Sequence, residues 1–508
     1  MPKKKKEMKL LFVNPCLRPG GYTKVLPVGL ASVMTYLKYK GYKFTLLDID
    51  INEYDDSYVE NYLKNNSFDL ILAGSIVTHY KWFKWFGNMI KKTQPDSIFV
   101  GGNSVAGSIP ELFLTKINGD VAVTGEGEVS AYETVEAVRL GKDLKNVPGI
   151  SYLDENKKVV TNDARAAQNI EEFPDIDWSF FDVESYIKRA DVMPDSDDEP
   201  EAMRSMPVVS ARGCAFKCSF CHYVFWNDPY RNRKAKSILR EIKNLIKKYN
   251  LTYIHFWDDL SFASAIQVEK FCDEILKSGL KFKWNASVRV DLFSRANLEG
   301  EAAVNVAKKM KQAGCYSVGY SLESGNQKIL EMMNKKIEAD AFFNTVDTFR
   351  QAGIVSQTSV VFGYPIETKE TIKDTFDQCL KAGVYPSIGF LLPLPSTVMY
   401  DYAKAHGFIT DEDKFLDSIT ERQDICLNMT KLKDDEIMNE IKEGAKLLNE
   451  KLNIGLSEDS YIRTKGYKTQ RSVKMRPLLN PKKIKRNTND MSFNYSQTDF
   501  KFEEQNNP

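Results

Sequence analysis

Several features that would place a protein in a membrane or outside the cell are missing from this sequence. The 508-residue chain has no run of about 18 apolar residues, so we expect no transmembrane helix. Its lysine-rich start leads into no apolar signal core, and its eight cysteines form no disulfide framework. The net charge of +1 gives no general attraction to nucleic acid or anionic lipid. These absences favour a cytoplasmic protein and argue against nucleic acid as a partner.

Three of the eight cysteines, in contrast, stand close together. Cys214, Cys218 and Cys221 lie within eight residues, and the other five have no cysteine neighbour nearby. Closely spaced thiolates repel one another unless a cation holds them, so the group predicts a metal site. Three protein ligands leave one coordination position open, which indicates a centre that carries out chemistry.

Three kinds of metal site compete for this segment. Cys218-Ser-Phe-Cys221-His222 satisfies the short pattern for covalent haem attachment, but that assembly follows export. Structural zinc held by the three cysteines and His222 is a stronger alternative. However, adjacent Cys221 and His222 would be strained around one tetrahedral ion, and the sequence offers no second ligand pair. An iron–sulfur cluster with one open iron is the favoured hypothesis.

The cysteine segment also resembles the signature of the radical S-adenosylmethionine (SAM) superfamily. The shared pattern is Cys-x-x-x-Cys-x-aromatic-Cys, with Phe220 as the aromatic residue. The resemblance implies a 4Fe–4S cluster held by Cys214, Cys218 and Cys221, whose open iron chelates the amino and carboxylate groups of SAM. It further implies that an electron from the reduced cluster cleaves SAM and releases a 5′-deoxyadenosyl radical.

The first 150 residues alternate apolar runs with segments of helical spacing. The apolar runs are residues 10–13, 44–47, 70–73, 98–100 and 121–123. Such alternation predicts a doubly wound, Rossmann-like parallel sheet, which binds ligands at the carboxyl ends of its strands. Small and polar residues follow four of the runs. They would let a large ligand approach the backbone, although they also suit ordinary turns.

These loops resemble those of the cobalamin-binding domain that precedes many radical SAM cores. The resemblance implies contacts to cobalamin from Gly29, Leu30, Ser75, Thr78, Gly101, Gly102, Asn103, Gly125 and Glu126. The loop after the first strand has no histidine where many such domains supply a cobalt ligand. We therefore expect cobalamin without a protein histidine ligand. Cys16 in that loop and His79 after the third strand are more simply explained as ordinary loop residues.

A second alternation begins at Pro207. Its strand candidates are residues 208–211, 253–257, 281–287, 317–322, 358–362 and 388–392, and helical spacing occupies intervals such as 237–249, 265–278 and 370–382. Six strand–helix units predict an open (βα)6 partial TIM barrel. The three cysteines follow its first strand, at the carboxyl-end face where such barrels place their chemistry.

Further polar residues follow the later strands of this barrel. The paired carboxylates Asp258 and Asp259 suit a cationic group, and Arg289 suits a carboxylate. Helix capping and a surface arginine are the simpler alternatives. The resemblance to radical SAM enzymes implies SAM contacts at Phe220, Asp258, Asp259, Arg289, Glu323, Ser324 and Gly363.

The sequence thus predicts an α/β chain in five parts. These are a cobalamin-binding domain over 1–150, a linker over 151–204, a radical SAM core over 205–405, a helical region over 406–465 and a polar, disordered tail over 466–508. Within the helical region, apolar spacing predicts a packed helix over residues 434–451. Five acids within residues 195–201 favour a solvated linker.

Together these features predict a cobalamin-dependent radical SAM enzyme that methylates an unactivated carbon of an unknown organic substrate. An electron donor such as flavodoxin or ferredoxin is implied. Cyclisation, oxidation or a vestigial cobalamin domain remain alternatives. Methylthio transfer is disfavoured, because the N-terminal domains of such relatives carry an additional cysteine-ligated cluster and this one contains only Cys16. The non-enzymatic alternative is a zinc-stabilised nucleic-acid binder that uses the basic segment 463–486.

Overall fold

The computed structural model describes residues 8–21, 23–190, 203–222, 229–419, 425–458 and 461–462. The chain divides into two compact units. The described residues of the first unit fall within Met1–Asp191, Phe220–Pro229 and Pro393–Glu421, and those of the second within Val192–Ser219, Tyr230–Leu392 and Arg422–Pro508. The acidic run 195–201, the basic segment 463–486 and the predicted tail 466–508 lie outside the described residues.

The first unit is built on a seven-stranded sheet. Its strands are β1 (Leu10–Asn14), β2 (Thr45–Asp48), β3 (Leu70–Gly74), β4 (Ile98–Gly102), β5 (Val121–Val123), β6 (Ile150–Leu153) and β7 (Val159–Thr161). They lie in the order β2-β1-β3-β4-β5-β6-β7, parallel from β2 to β5 and antiparallel at the last two pairings. The strand order reverses between β1 and β3, where doubly wound sheets bind ligands. The predicted Rossmann-like sheet is confirmed.

Helices cover both faces of this sheet, and its first strands are accordingly buried on both sides. The helices are α1 (Val28–Tyr39), α2 (Ile49–Asn52), α3 (Asp56–Asn65), α4 (Tyr80–Thr93), α5 (Ser104–Gly107), α6 (Pro110–Thr115), α7 (Gly127–Leu140) and α8 (Val183–Lys188). Phe83 and Phe86 of α4 pack against Phe99 of β4, which contacts Phe113 of α6. This aromatic core fixes the loops that follow β3 and β4.

The sequence predicts a linker over residues 151–204, but the structure places sheet strands in the first part of that range. β6 pairs antiparallel with β5, and β7 pairs with β6 through a turn in which Lys157 N donates to Asp154 O. Each strand is only three or four residues long, so its apolar pattern is too short to stand out in the sequence. Further along, Trp178 and Tyr186 are fully buried.

The second unit contains six parallel barrel strands, of which the fifth is divided into two short strands, and a separate antiparallel pair of strands. Its strands are β8 (Ser205–Val208), β9 (Ala211–Arg212), β10 (Arg231–Asn232), β11 (Tyr253–Phe256), β12 (Lys283–Ser287), β13 (Cys315–Gly319), β14 (Val355–Gln357), β15 (Ser359–Phe362) and β16 (Ser387–Phe390). One parallel sheet has the order β14-β13-β12-β11-β8, and a second pairs β15 with β16. A parallel bridge between Glu323 and Val360 links the two. Within the described ranges no pairing joins β8 to β16, in agreement with the predicted open barrel.

Helices follow the strands of the second unit in turn. They are α9 (Ala235–Tyr249), α10 (Ala265–Ser278), α11 (Gly300–Gln312), α12 (Gln327–Met332), α13 (Ala341–Gln351), α14 (Lys369–Ala382) and α17 (Asp434–Lys451), whereas α15 (Val398–Ala405) and α16 (Glu412–Ser418) belong to the first unit. The predicted helices 265–278 and 434–451 are confirmed. α17 packs on α14, where Gly444 lies against the ring of Phe376. No helix of the described ranges has the length and apolarity needed to cross a membrane.

The first barrel strand begins earlier than the sequence predicts. The apolar run at 208–211 predicts a strand there, but the strand is Ser205–Val208. Pro207 lies within it and is tolerated because β8 is at the edge of the sheet. Ala211 and Arg212 instead form β9, which pairs antiparallel with β10. The cysteine segment is the connection between β9 and β10.

Candidate active site

The cysteine segment follows the first barrel strand, as predicted, with the short strand β9 between them. Cys218 is buried, Cys214 is partly exposed and Cys221 is exposed, and none forms a disulfide. Among the described residues, no three His, Cys, Asp or Glu side chains stand close enough to hold a metal ion. The structure therefore places the three thiols on one loop without bringing their sulfurs together as a ligand set.

A short segment after α12 holds the cysteine loop in place. Ser219 N donates to Met333 O at 2.8 Å, and Ser219 Oγ donates to Met332 O at 3.0 Å. Asn334 Nδ2 donates to Lys217 O at 2.7 Å. Three hydrogen bonds, made by the two residues that flank Cys218, thus hold the loop against the segment 332–336. This segment was not among the site residues predicted from the sequence.

Arg289 follows β12, where the sequence places a carboxylate-binding arginine. Its guanidinium is almost fully buried and makes a two-pronged ion pair with Asp291, with Nε 2.9 Å from Oδ1 and Nη2 3.2 Å from Oδ2. Nη2 also donates to the carbonyl oxygens of Lys335 and Lys336, at 2.8 and 3.2 Å. The guanidinium lies over the ring of Phe216, which is part of the cysteine loop. Arg289 therefore supports the loop and already has a carboxylate partner.

Glu323 and Lys335 form a buried ion pair beside this loop. Lys335 Nζ lies 2.8 Å from Glu323 Oε1, and the two side chains are 11% and 5% exposed. Glu323 Oε2 is buried and has no hydrogen-bond partner among the described residues. Burial raises the pKa of the Cys218 thiol, whereas the positive charges of Lys335 and Arg289 lower it. A buried acceptor oxygen and two cations thus stand near the cysteine predicted to bind metal.

The two aspartates after β11 have different environments. Asp258 accepts hydrogen bonds from the backbone of Ser210 and Ala211 at 2.9 and 3.1 Å, and from Ser210 Oγ at 2.5 Å. Burial raises its pKa to about 6, while these hydrogen bonds lower it. Asp258 thus fixes the backbone that leads into β9. Asp259 is exposed and makes no hydrogen bond or ion pair with any described residue, so it is the carboxylate available to a ligand.

The remaining predicted SAM contacts lie at the ends of later strands. Ser324 is buried and accepts a hydrogen bond from Asn326 N at 3.2 Å, which is a turn function. Gly363 has φ +98° and donates its N–H to Glu367 Oε2 at 3.1 Å. Burial raises the pKa of Glu367 to about 7. Phe220 is the exception, because it lies in the cysteine loop, where it is half-buried. The positive φ explains why a glycine stands at position 363. Glu367 was not among the site residues predicted from the sequence.

In the first unit, the loops after β3 and β4 are joined to each other. Ser104 Oγ accepts from Val77 N at 2.8 Å, and Val105 N donates to Ser75 O at 3.0 Å. Thr78 Oγ1 is buried, yet it has no hydrogen-bond partner in the described part of the chain. Buried hydroxyls are normally paired, so this oxygen is suited to a polar group of a ligand. Two predicted cobalamin contacts, Ser75 and Thr78, therefore share one rigid loop.

The glycines predicted to contact cobalamin fall into two kinds. A Cβ added to Gly29, Gly102 or Gly125 would meet no atom within 4 Å, so the chain leaves open space beside these backbones. A Cβ added to Gly101 would stand 2.1 Å from Cζ of Phe113. Gly101 is therefore explained by packing, whereas the space at the other three permits the close approach of a large ligand.

Three predicted cobalamin contacts have local structural roles. Asn103 has φ +58°, and its Oδ1 accepts from Ser104 N at 2.6 Å, which starts α5. Glu126 precedes α7 as its N-cap residue. Leu30 is partly exposed in the first turn of α1. At these three positions, a local structural role is compatible with a contact to cobalamin.

A buried polar cluster lies at the ends of β1 and β2. Asn14 Nδ2 donates to Asp48 Oδ1 at 2.8 Å and the Tyr186 hydroxyl donates to the same oxygen at 3.0 Å. Burial raises the pKa of Asp48 to about 6, although both hydrogen bonds lower it. Nearby, Lys24 Nζ contacts the sulfur of Cys16 at 3.5 Å. Burial raises the pKa of Cys16 to about 11, so this cysteine stays a thiol at neutral pH.

His79 is held within the loop after β3. Its Nδ1 lies 3.3 Å from Ser75 Oγ, and its ring stacks on Trp82 with centroids 5.1 Å apart. Burial lowers its pKa to about 4, so the imidazole is neutral at physiological pH. These contacts give the ring a packing role within the loop.

Two protein-family models match the chain, one after the other. The B12 binding domain model matches residues 22–135, which include the sheet loops described above. The Radical SAM superfamily model matches residues 208–379, which include the cysteine loop and most of the second sheet. Together the two matches span more than half of the chain.

Individual relatives carry several activities in their names. An uncharacterised methyltransferase of Pyrococcus horikoshii is 29% identical over 326 residues, which cover 63% of this chain and 66% of that protein. The anaerobic magnesium-protoporphyrin IX monomethyl ester cyclase of Rubrivivax gelatinosus is 27% identical over 380 residues, which cover 73% of this chain and 65% of the cyclase. The chain thus spans slightly less than two thirds of the length of these relatives.

A solved structure shares the fold at low sequence identity. The radical S-adenosylmethionine methyltransferase TsrM of Kitasatospora setae, solved with cobalamin and a [4Fe-4S] cluster bound, matches with a TM-score of 0.62. The match covers 79% of both chains at 18% sequence identity. At this identity the similarity concerns the fold.

Proposed function

Because the chain belongs to the radical SAM superfamily and carries a B12-binding domain ahead of its radical SAM domain, we propose that it methylates an unactivated carbon of an organic substrate. When bound, the 4Fe–4S cluster, SAM and cobalamin would supply the electron, the radical precursor and the methyl group. The observation that carries the proposal is the three-cysteine loop at the end of the first barrel strand, in one chain with a B12-binding domain.

We propose Cys214, Cys218 and Cys221 as the ligands of the cluster. The donor set fits, because thiolates are the usual ligands of iron–sulfur clusters and three of them leave one iron open. Burial and the charge of Glu323 raise the pKa of Cys218, and the cations of Lys335 and Arg289 act in the opposite direction, towards the thiolate. Both cations would stabilise the negatively charged sulfur of Cys218, the buried cysteine, as a ligand of the cluster.

SAM would then be held by groups at the ends of the barrel strands. Asp259, which is exposed and pairs with no described residue, would offer its carboxylate to the amino group of SAM, and Glu323 Oε2, which has no partner among the described residues, would offer a buried acceptor. The backbone at Gly363 would accommodate the ligand at close range, since nearby atoms approach an added Cβ no closer than 3.8 Å. The structure gives Asp258 and Arg289 partners within the chain, so we assign them to positioning the site.

Cobalamin would lie against Gly29, Gly102 and Gly125 of the first unit, where open space borders the backbone. Thr78 Oγ1 would provide a hydrogen bond to one of its polar side groups. We propose binding without a histidine ligand, because the ring of His79 is stacked on Trp82 and its Nδ1 is close to Ser75 Oγ. We propose that the B12-binding domain extends beyond residue 150 to include β6 and β7, and that the radical SAM core begins at residue 205 and ends before α15, which belongs to the first unit.

A radical cyclisation is the second candidate reaction. Its support is the similarity to the Rubrivivax gelatinosus cyclase over 73% of this chain. Either reaction needs an electron donor, for which we propose a flavodoxin or a ferredoxin. A reducing cytoplasm would suit both the cluster and eight cysteines that form no disulfide.

Anaerobic reconstitution tests the proposal. The chain is loaded with iron and sulfide, reduced with dithionite and incubated with SAM, and 5′-deoxyadenosine is measured by chromatography. We expect the wild type to produce it and Cys218→Ala to lose both the product and the visible cluster absorption. Cys272→Ala is the control, since Cys272 is also a buried free cysteine but lies in α10, away from the cysteine loop in sequence. Full four-iron absorption in Cys218→Ala would contradict the ligand assignment.

Cobalt content tests the second cofactor separately. Cells supplied with cobalamin should yield protein that retains cobalt through purification. Deoxyadenosine without retained cobalt would indicate a vestigial B12-binding domain. Transfer of a labelled methyl group from SAM to a cellular metabolite would distinguish methylation from cyclisation.

A further inference from the structure

The two faces of the second sheet are distinguished by their contacts with helices. Phe256 of β11 and Trp284 of β12 pack on Phe271 of α10, with ring centroids 5.6 and 5.9 Å apart. These two residues therefore face the helices. Because strand side chains alternate, their neighbours His255 and Asn285 face the opposite, inner side of the barrel. The two are in register on adjacent strands.

The amino-end part of the inner face is aromatic and closed. Tyr253 and Tyr316 pack against each other with centroids 6.3 Å apart. Met203 and Val355 complete this buried cluster. It forms a floor beneath the inner face, so any ligand inside the barrel would enter from the carboxyl ends of the strands.

Above this floor, the inner face is polar on β11, β12 and β13, and Val355 of the floor cluster extends into its first row, where it pairs with Ser317. His255, Asn285 and Ser317 lie in one register row across β11, β12 and β13. A second row, formed by Ser287, Gly319 and Gln357, follows towards the carboxyl ends. Bulky branched side chains usually fill such barrel interiors. Here the rows leave room, and a Cβ added to Gly319 would meet its nearest atom at 3.9 Å.

Asn285 has an unused hydrogen-bond acceptor in this row. The residue is 9% exposed, and its Nδ2 lies 3.4 Å from His255 Nε2. Its Oδ1 is buried and has no partner among the residues that the structure describes. Leaving a buried polar atom unpaired costs about 1–3 kcal/mol, so such an atom inside a barrel is suited to a ligand that pairs with it.

The row is also uncharged at neutral pH. Burial lowers the pKa of His255 to about 4, so its imidazole is neutral. Asn285 and Ser317 carry no charge. A carboxylate placed at Asn285 Oδ1 would meet an acceptor oxygen and no cation of the row, and only neutral donors such as the Ser317 hydroxyl, so burying its charge there is unfavourable. A hydroxyl, an amine or an amide N–H would instead donate to Asn285 Oδ1.

We propose that Asn285 and His255 form a substrate subsite that selects a hydrogen-bond-donating group and rejects a carboxylate. Asn285 Oδ1 accepts the hydrogen bond, and His255 holds the amide through its contact with Nδ2. Trp257, half-exposed beside His255 with ring centroids 5.1 Å apart, provides an apolar surface at the carboxyl end of β11. The inference rests on the proposed function, because it assumes that the substrate enters the barrel.

Binding of small probes to the full chain tests the subsite without any turnover. The probes are 2-phenylethanol and 2-phenylethylamine, which donate hydrogen bonds, and phenylacetate and ethylbenzene, which do not at neutral pH. Their phenyl ring suits the aromatic side chains Tyr253 and Trp257. Ligand-observed NMR should detect the two donors and neither of the other probes.

The Asn285→Leu variant should weaken both donors about tenfold, the effect of losing roughly 1.4 kcal/mol of hydrogen bonding. Ser356→Ala is the control, because Ser356 is buried in β14 but its Oγ accepts from the Tyr320 hydroxyl at 2.6 Å instead of lying in the row. It should bind both donors as the wild type does. Should Asn285→Leu fail to fold, Asn285→Asp keeps the shape and the acceptor and should shift preference towards the amine.

Donor binding that is unchanged in Asn285→Leu, equal binding of phenylacetate, or no binding of any probe would each overturn the subsite. Because the assay involves no SAM cleavage, these outcomes are separate from a failure to form 5′-deoxyadenosine. A chain that cleaves SAM but fails the probe test would lose only this inference.

Discussion

The guanidinium carbon of Arg289 lies 3.6 Å from the centre of the Phe216 ring. Phe216 stands between Cys214 and Cys218, whereas Arg289 follows the third barrel strand, β12. The contact therefore connects the cysteine loop to a different strand end. The carboxylate of Asp291 accepts two hydrogen bonds from the same guanidinium. The Phe216 ring therefore packs on a side chain that is itself held in place.

Replacing Phe216 by Leu should loosen the cysteine loop while keeping its apolar volume. A cation–π contact contributes about 0.5–2 kcal/mol, so the variant should retain less iron after reconstitution than the wild type. Iron and sulfide per chain after desalting measure the effect. Phe343→Leu is the control, because Lys381 lies over that ring at 5.7 Å in a part of the unit away from the loop. Equal iron retention in both variants would contradict the role of Phe216.

Replacing Lys335 by Met should destabilise the second unit. The change leaves Glu323 buried without its cation, and breaking a buried ion pair costs roughly 3–5 kcal/mol. Urea unfolding of the metal-free chain measures the loss. The double variant Lys335→Met with Glu323→Gln should recover most of it, because the remaining buried charge is removed. A loss in Lys335→Met that persists in the double variant would show that the ion pair is not the cause.

Two adjacent glycines should respond differently to the same added methyl group. Gly101→Ala should lower stability by about 1–3 kcal/mol, because the new Cβ overlaps the Phe113 ring. Gly102→Ala should leave stability within about 0.5 kcal/mol, since no atom lies within 4 Å of its Cβ position. If cobalamin approaches this backbone, Gly102→Ala should weaken binding of hydroxocobalamin about tenfold, measured by equilibrium dialysis. Unchanged binding in Gly102→Ala would remove Gly102 from the cobalamin site.

The sequence was sufficient for the parts of the fold that have long apolar patterns. Helices 265–278 and 434–451 have the predicted bounds, because their apolar spacing extends over four or more turns. Short β6 and β7 were missed for the opposite reason. Strand β8 began earlier than expected, since Pro207 hides a strand that the sheet edge tolerates.

The support around the cysteines was less accessible to sequence reasoning. Lys335 reaches Glu323 because the chain reverses after α12, where Asn334 and Lys336 adopt φ of +50° and +53°. Neither residue is a glycine, so nothing in the local sequence marks both left-handed positions. Likewise, the distinction between Gly101 and Gly102 depends on where Phe113 packs, which is a tertiary contact.

The buried carboxyl of Asp48 should make the first unit less stable as pH rises. Its pKa is about 6 in the folded chain because of burial, above the ordinary value of 3.8. Between these values the folded state keeps a proton that the unfolded chain has lost, so stability falls as pH increases from about 4 to about 6. A shift of this size corresponds to roughly 3 kcal/mol.

Asp48→Asn should remove this contribution while preserving an acceptor for Asn14 and Tyr186. The difference in unfolding free energy between variant and wild type, measured in urea from pH 4 to pH 7, should therefore grow in favour of the variant and level off above pH 6. Asp55→Asn provides a control that should show little pH dependence between pH 4 and pH 7, because the contribution of Asp55 is lost only below about pH 4. Hydrogen bonds from Ser57 and Tyr58 hold the pKa of Asp55 below its ordinary value, so its contribution is lost as pH falls. A pH-independent difference for Asp48→Asn would mean that burial does not control this carboxyl.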